Sequence, residues 1–118
     1  MTRLAPGGAR GRNAATGWPM TTALDLLGRR WAMRILWELR HGAVRATELQ
    51  ARCDQMSTSV LYQRLRELAD AGLVQQDESD AYLLTELGQG LSQTLVPVDE
   101  WARRWSRTAA ARRLRTAG

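Results

Sequence analysis

A chain of 118 residues, 44% apolar and 25% charged with a net charge of +5, has the size and make-up of one small globular domain. One cysteine (Cys53) forbids an internal disulfide, and with one histidine (His41) it leaves no Cys/His metal site and no obvious catalytic triad. No apolar run reaches the roughly 20 residues of a membrane helix, and the N-terminus lacks the apolar stretch of a secretory signal. The expectation is therefore a cytoplasmic protein that is not an enzyme, with no metal, no cofactor and no membrane partner.

Residues 1–17 are rich in Gly, Ala and Arg without hydrophobic period, and are predicted to form a disordered basic tail. Thr22 is placed to cap a short helix carrying Leu24, Leu26 and Leu27 that Gly28 ends. In the next segment Ala32, Ile35, Leu36 and Leu39 fall at i, i+3, i+4, i+7, one apolar face of a second helix that stops at His41-Gly42. His41 is placed to cap carbonyls there. Thr47 is expected to cap a third helix with Leu49 and Cys53 inward, and Asp54-Gln55-Met56 to break it. Ser57 then caps a fourth helix in which Leu61, Leu65 and Leu68 face inward and which Gly72 closes. Two helices joined by so short a break form a helix-turn-helix pattern.

After Gly72 the period becomes strand-like: residues 73–76 and 81–84 flank the turn-forming Asp77-Glu78-Ser79-Asp80. A hairpin directly after such a helix is a wing. Thr85 is placed to cap a last helical region in which Leu87, Leu91, Thr94, Val98, Trp101 and Trp105 repeat with coiled-coil spacing, a seam for a partner helix. Pro97 is expected to kink or split it. The domain limits are thus 18–107, with residues 108–118 a basic C-terminal tail.

The charge is unevenly laid out. All 17 basic residues are arginine; residues 1–18 carry +3, residues 19–100 carry −4, and residues 101–118 carry +6. An acidic body with basic ends suggests a polyanionic partner. Arg10-Gly11-Arg12 matches only the centre of a minor-groove arm, without its flanking prolines, and a flexible tail with incidental charge is the better account.

The order of elements and several motifs resemble the HxlR-type winged helix-turn-helix transcription regulators, relatives of the MarR group. The motifs are Leu27-Gly28-Arg29-Arg30-Trp31, Arg45-Ala46-Thr47-Glu48-Leu49, the run from Ser57 to Leu68, Ala71-Gly72-Leu73-Val74, and Leu84-Thr85-Glu86-Leu87-Gly88, followed by Trp101. The resemblance implies a mainly α fold with a small β-hairpin and with N- and C-terminal dimerisation helices. It implies a homodimer that binds a roughly palindromic double-stranded DNA operator. Three features depart from the family pattern. Trp18-Pro19 stands where redox-responsive members carry Cys-Pro, which argues against a thiol sensor. The wing is short and acidic, and an arginine-rich segment follows the motif region.

With the three leucines inward, Thr58, Ser59, Tyr62, Gln63 and Arg66 turn outward on the recognition helix. Gln and Arg match adenine and guanine edges, and hydroxyls reach bases or phosphates. Arg64 is placed for backbone contact and Arg45 for a phosphate at the start of the third helix, and Thr47 and Ser57 complete the candidate DNA-binding set. The bland account is a solvated face with Arg66 paired to Asp70. Leu24, Leu27, Leu91, Leu95, Val98, Trp101 and Trp105 are the candidate dimer interface. Trp31 and Trp37, with Trp101 and Trp105, form a candidate cleft for a small aromatic effector, against the plainer reading that such aromatics are packing. Cys53 reads as a buried, inert thiol. The rival function is a winged-helix protein-interaction module without specific DNA binding, which the acidic body favours.

Overall fold

The computed structural model describes residues 18–117, so the segment 1–17 and its expected disorder lie outside the described residues. Helix α1 spans Pro19–Leu27, α2 Ala32–Glu38, α3 Ala46–Arg52 and α4 Thr58–Asp70. Strands β1 (Val74–Gln76) and β2 (Tyr82–Leu84) form the antiparallel hairpin, and α5 (Glu86–Ser106) and α6 (Ala109–Ala117) complete the chain. The architecture is mainly α with a small hairpin, a winged helix-turn-helix.

The core is built where the 3.6-residue periods place it. Ile35 and Leu36 of α2 and Leu39 at its C-cap meet Leu49 of α3 and Cys53 at its C-cap, and Leu61, Leu65 and Leu68 from α4, all at most 2% exposed. Ser57 caps α4 by accepting from the Val60 amide at 3.2 Å. Gly72, at φ +82°, ends the helix where a side chain would be strained, and the Leu73 amide turns back to the Leu68 carbonyl. The break between α3 and α4 is sharp because Asp54 and Gln55 both adopt left-handed backbone (φ 58° and 57°). Gln50 braces it by donating to the Met56 carbonyl at 2.7 Å.

The hairpin pairs Val74 with Leu84 and Gln76 with Tyr82. At its tip the Asp77 carboxylate accepts from the Ser79 hydroxyl and amide and from the Ala81 amide. These bonds hold its pKa below the usual carboxylate range, the Ser79 hydroxyl contributing most. Val44, just before α3, adds a bridge to the far side of Tyr82 through two hydrogen bonds of 2.8 and 2.9 Å. No sequence period announced that bridge.

Several local expectations are corrected. Helix α1 starts with Pro19 in its first turn and Trp18 at the N-cap, so Thr22 lies inside the helix and donates to the Trp18 carbonyl instead of capping. The α3 cap position belongs to Arg45, without a side-chain cap bond, and Thr47 sits in the first turn. At the end of α2 it is Arg40, not His41, that donates to the Trp37 carbonyl. Pro97 neither splits nor ends α5: it and Gln93, whose carbonyl it leaves free, are both exposed to water. The segment expected as a C-terminal tail is helix α6, capped by the Thr108 hydroxyl and anchored by the fully buried Ala111.

Candidate nucleic-acid interface

Helix α4 stands on its three buried leucines, and the opposite face carries Thr58, Ser59, Tyr62, Gln63 and Arg66, all exposed. The Ser57 hydroxyl is taken by the cap and lies 3.5 Å from that of Ser59, and Thr58 accepts from Gln50 at 3.2 Å. Tyr62 is 42% exposed, a large aromatic held on the surface by a rigid helix. Arg45 and Thr47 project from the start of α3, both exposed.

Ion pairing separates the arginines of the body. Arg34 pairs with Glu38 at 2.9 Å, Arg52 pairs with Glu48, and Arg29 and Arg64 each reach Glu67 at 3.3 Å. Arg30 and Arg40 lie over the rings of Trp31 and Trp37 at 5.4 and 3.7 Å. Arg45 and Arg66 make no direct ion pair among the described residues, although Arg45 is near enough to Asp77 to help lower its pKa, and the Arg66–Asp70 pair that a solvated face would form is absent there. Arg64, expected at the DNA backbone, is held within the fold in the free chain: its side chain is 17% exposed and its Nε donates to the Arg30 carbonyl at 2.7 Å.

Burial pushes the Glu67 carboxyl up, but Arg29, Arg64 and Gln63 together outweigh it and hold the group below its ordinary value. Sequence reasoning overlooked this carboxylate and Arg29. The Arg64–Arg30 bond crosses 34 residues, a contact with no periodic signature.

The apolar candidates fall on α1 and α5. Helix α1 has no buried residue, and Leu24 is 60% exposed. Val98, Trp101 and Trp105 are exposed on α5, the two indoles stacked 5.6 Å apart, while Leu27, Leu91 and Leu95 are half-buried. A groove of about 460 Å³ between α1 and α5 is lined by Leu26, Leu27, Leu73, Leu87 and Leu91. Trp31 and Trp37 line different recesses, of about 390 and 240 Å³, and neither recess includes Trp101 or Trp105.

Cys53 is fully buried, and burial raises its thiol pKa despite the nearby Arg34. The native protein should resist iodoacetamide until urea unfolds it. Cys53→Ser should cost about 1 kcal/mol of stability and retain DNA binding. Peroxide releasing the wild type, but not this variant, from DNA would contradict the inert reading.

Comparison with known proteins agrees with this geometry. The model of the HxlR-like helix-turn-helix family matches residues 26–110. YvaP, an uncharacterized HTH-type transcriptional regulator of Bacillus subtilis, is 35% identical over 89 residues, covering 70% of this chain and 82% of YvaP. The quinone-bound structure of YodB from B. subtilis superposes with a TM-score of 0.67 at 32% identity, covering 74% of this chain and 98% of YodB. No helix of the described residues is long and apolar enough to cross a membrane. With the family match spanning both α4 and the wing, the chain belongs to the HxlR-like helix-turn-helix family of transcriptional regulators.

Proposed function

We propose that this protein is a homodimeric transcription regulator that binds a specific, roughly palindromic duplex site, one α4 per half-site in the major groove. The observation that carries the reading is the outward face of α4: donors and acceptors at Thr58, Ser59, Tyr62 and Gln63, and an arginine at 66 without an acidic partner, on a helix fixed by three buried leucines. Arg45, Thr47 and Ser57 serve phosphates at the edges of that face. Leu24, Leu27, Leu91, Leu95, Val98, Trp101 and Trp105 supply the seam between the two copies. A small aromatic effector is a further part of this reading. It draws on the apolar recess beside Trp37, with Trp31 at the neighbouring one, and on the quinone bound by the relative YodB.

Gln63→Ala and Arg66→Ala should each cost about 1–3 kcal/mol on the selected site and relax base preference locally. Affinity for random DNA and its salt slope should change far less. Duplex selection from a randomised pool, followed by anisotropy titrations across a salt series, measures all three. Unchanged specific affinity in both variants would rule out α4 as the reader. It would favour the second reading, a protein-interaction module, which the exposed acidic tip at Asp77, Glu78 and Asp80 supports.

A further inference from the structure

We infer that Glu67 is a positioning residue for base recognition: it fixes which edge of the Gln63 amide is presented to DNA, from a mount on the loop between α1 and α2. This rests on the reading of α4 as the DNA-reading helix.

A glutamine on an exposed helix face is a poor discriminator when left alone. Rotating its terminal amide by half a turn exchanges donor and acceptor, and a freely turning side chain must be ordered at the moment of binding. Here the rotation is constrained. The Gln63 Nε2 donates to Glu67 Oε2 at 3.4 Å. A carboxylate only accepts, so the amide nitrogen must face it and the flipped amide loses the bond. One N–H is used in this way. The other remains available beside Oε1, the adjacent donor and acceptor that the N7 and N6 groups of adenine require.

The carboxylate is itself held from two directions. Arg29, from the α1–α2 loop, and Arg64, one turn back on α4, both reach Glu67 Oε1 at 3.3 Å. Arg64 in turn donates to the Arg30 carbonyl at 2.7 Å, so the same loop is fastened to α4 twice. That loop is stiff: Trp31 takes a left-handed backbone at φ 77°, and its carbonyl accepts from the Ile35 amide to start α2. A lone hydrogen bond between exposed side chains would be weak. One whose acceptor is clamped by two guanidiniums on different elements has little freedom left to lose.

A purely structural ion-pair role for Glu67 makes different predictions. Removing the clamp for stability alone would weaken binding to every sequence evenly. Removing a positioning carboxylate, and its negative charge beside DNA, should leave random-duplex affinity unchanged or higher while discrimination collapses at one base pair.

The test is selection from a randomised duplex pool with the wild type, Gln63→Ala, Glu67→Ala and Arg29→Ala, each checked by thermal melting. Gln63→Ala identifies the base pair that Gln63 reads. At that pair Glu67→Ala should lower the preference for A·T by about tenfold, and Arg29→Ala by a few-fold in the same direction. Folded Glu67→Ala protein with full preference at that pair, or with an even loss on all sequences, overturns the inference. Should Glu67→Ala not fold, Arg29→Ala decides: preserved preference overturns it. An unaltered preference in Gln63→Ala would instead show that Gln63 reads no base and overturn the mount, whereas the reading of α4 itself falls only if Arg66→Ala is unaltered as well.

Discussion

Gly88→Ala should destabilise the folded chain by about 3 kcal/mol, although alanine favours a helix interior over glycine by about 1 kcal/mol. A Cβ at Gly88 would lie 2.2 Å from the Leu73 carbonyl oxygen and 3.3 Å from the Leu84 Cβ. The obstacle is backbone, so no rotamer relieves it. That carbonyl already accepts from the Thr85 amide, and the Thr85 hydroxyl joins the Gly72 carbonyl at 2.6 Å to the Gly88 amide at 3.0 Å. Moving α5 away breaks this junction between the end of α4, the wing and the long helix. Gly90, two residues on, is the internal control. Nothing lies within 4 Å of a Cβ there, so Gly90→Ala should be neutral or stabilising by up to about 1 kcal/mol. Urea midpoints with equal slopes would measure both. Equal stability of wild type and Gly88→Ala would mean that the close approach of α5 to β1 is not present in solution.

Trp101→Glu should convert a dimer into a monomer at micromolar concentration and weaken binding to a two-half-site duplex by about 100-fold or more, because the second half-site then adds no avidity. Helix α1 has no fully buried residue and leaves Leu24 exposed, and Val98 and Trp101 are each 53% exposed on α5. Apolar surface gathered this way needs a cover. A glutamate in place of Trp101 would remove the Trp101–Trp105 stack and bring an unpaired charge into that cover. Sedimentation velocity reads the assembly, and half-site duplexes provide the control, since one α4 should bind them with little change. A wild-type monomer at micromolar concentration would contradict the proposed homodimer.

Elements were legible in the sequence where a local pattern determines them. Ser57, Gly72 and the leucines at 61, 65 and 68 state the limits and inner face of α4 without help from the rest of the chain, and Thr85 does the same for the start of α5. Thr22 and Thr47 misled because a hydroxyl near a helix start is only one way to begin a helix. Pro19 starts α1 by its fixed φ, and Arg45 opens α3 because Val44 is already tied to the wing. The C-terminal helix was obscured by its arginines, which hide the single buried alanine on which it packs. For the candidate site, the outward residues of α4 follow from helical geometry alone. Which arginines are free does not: Arg64 finds its partner across the fold, and Arg66 is left without one although Asp70 stands four residues on.

The pairing of Val44 with Tyr82 gives the reading unit the topology of a ring. Helix α3, the sharp turn, α4 and β1 all lie between two residues joined by a pair of short hydrogen bonds. A ring with both ends pinned transmits force differently from a string of elements. A pull on the wing tip reaches the start of α3, and with it Arg45, through one bridge, without first unwinding α4. In the proposed complex with duplex DNA the wing would act as an outrigger, setting the tilt of the helical pair by leverage, with its acidic tip limiting how closely that edge settles.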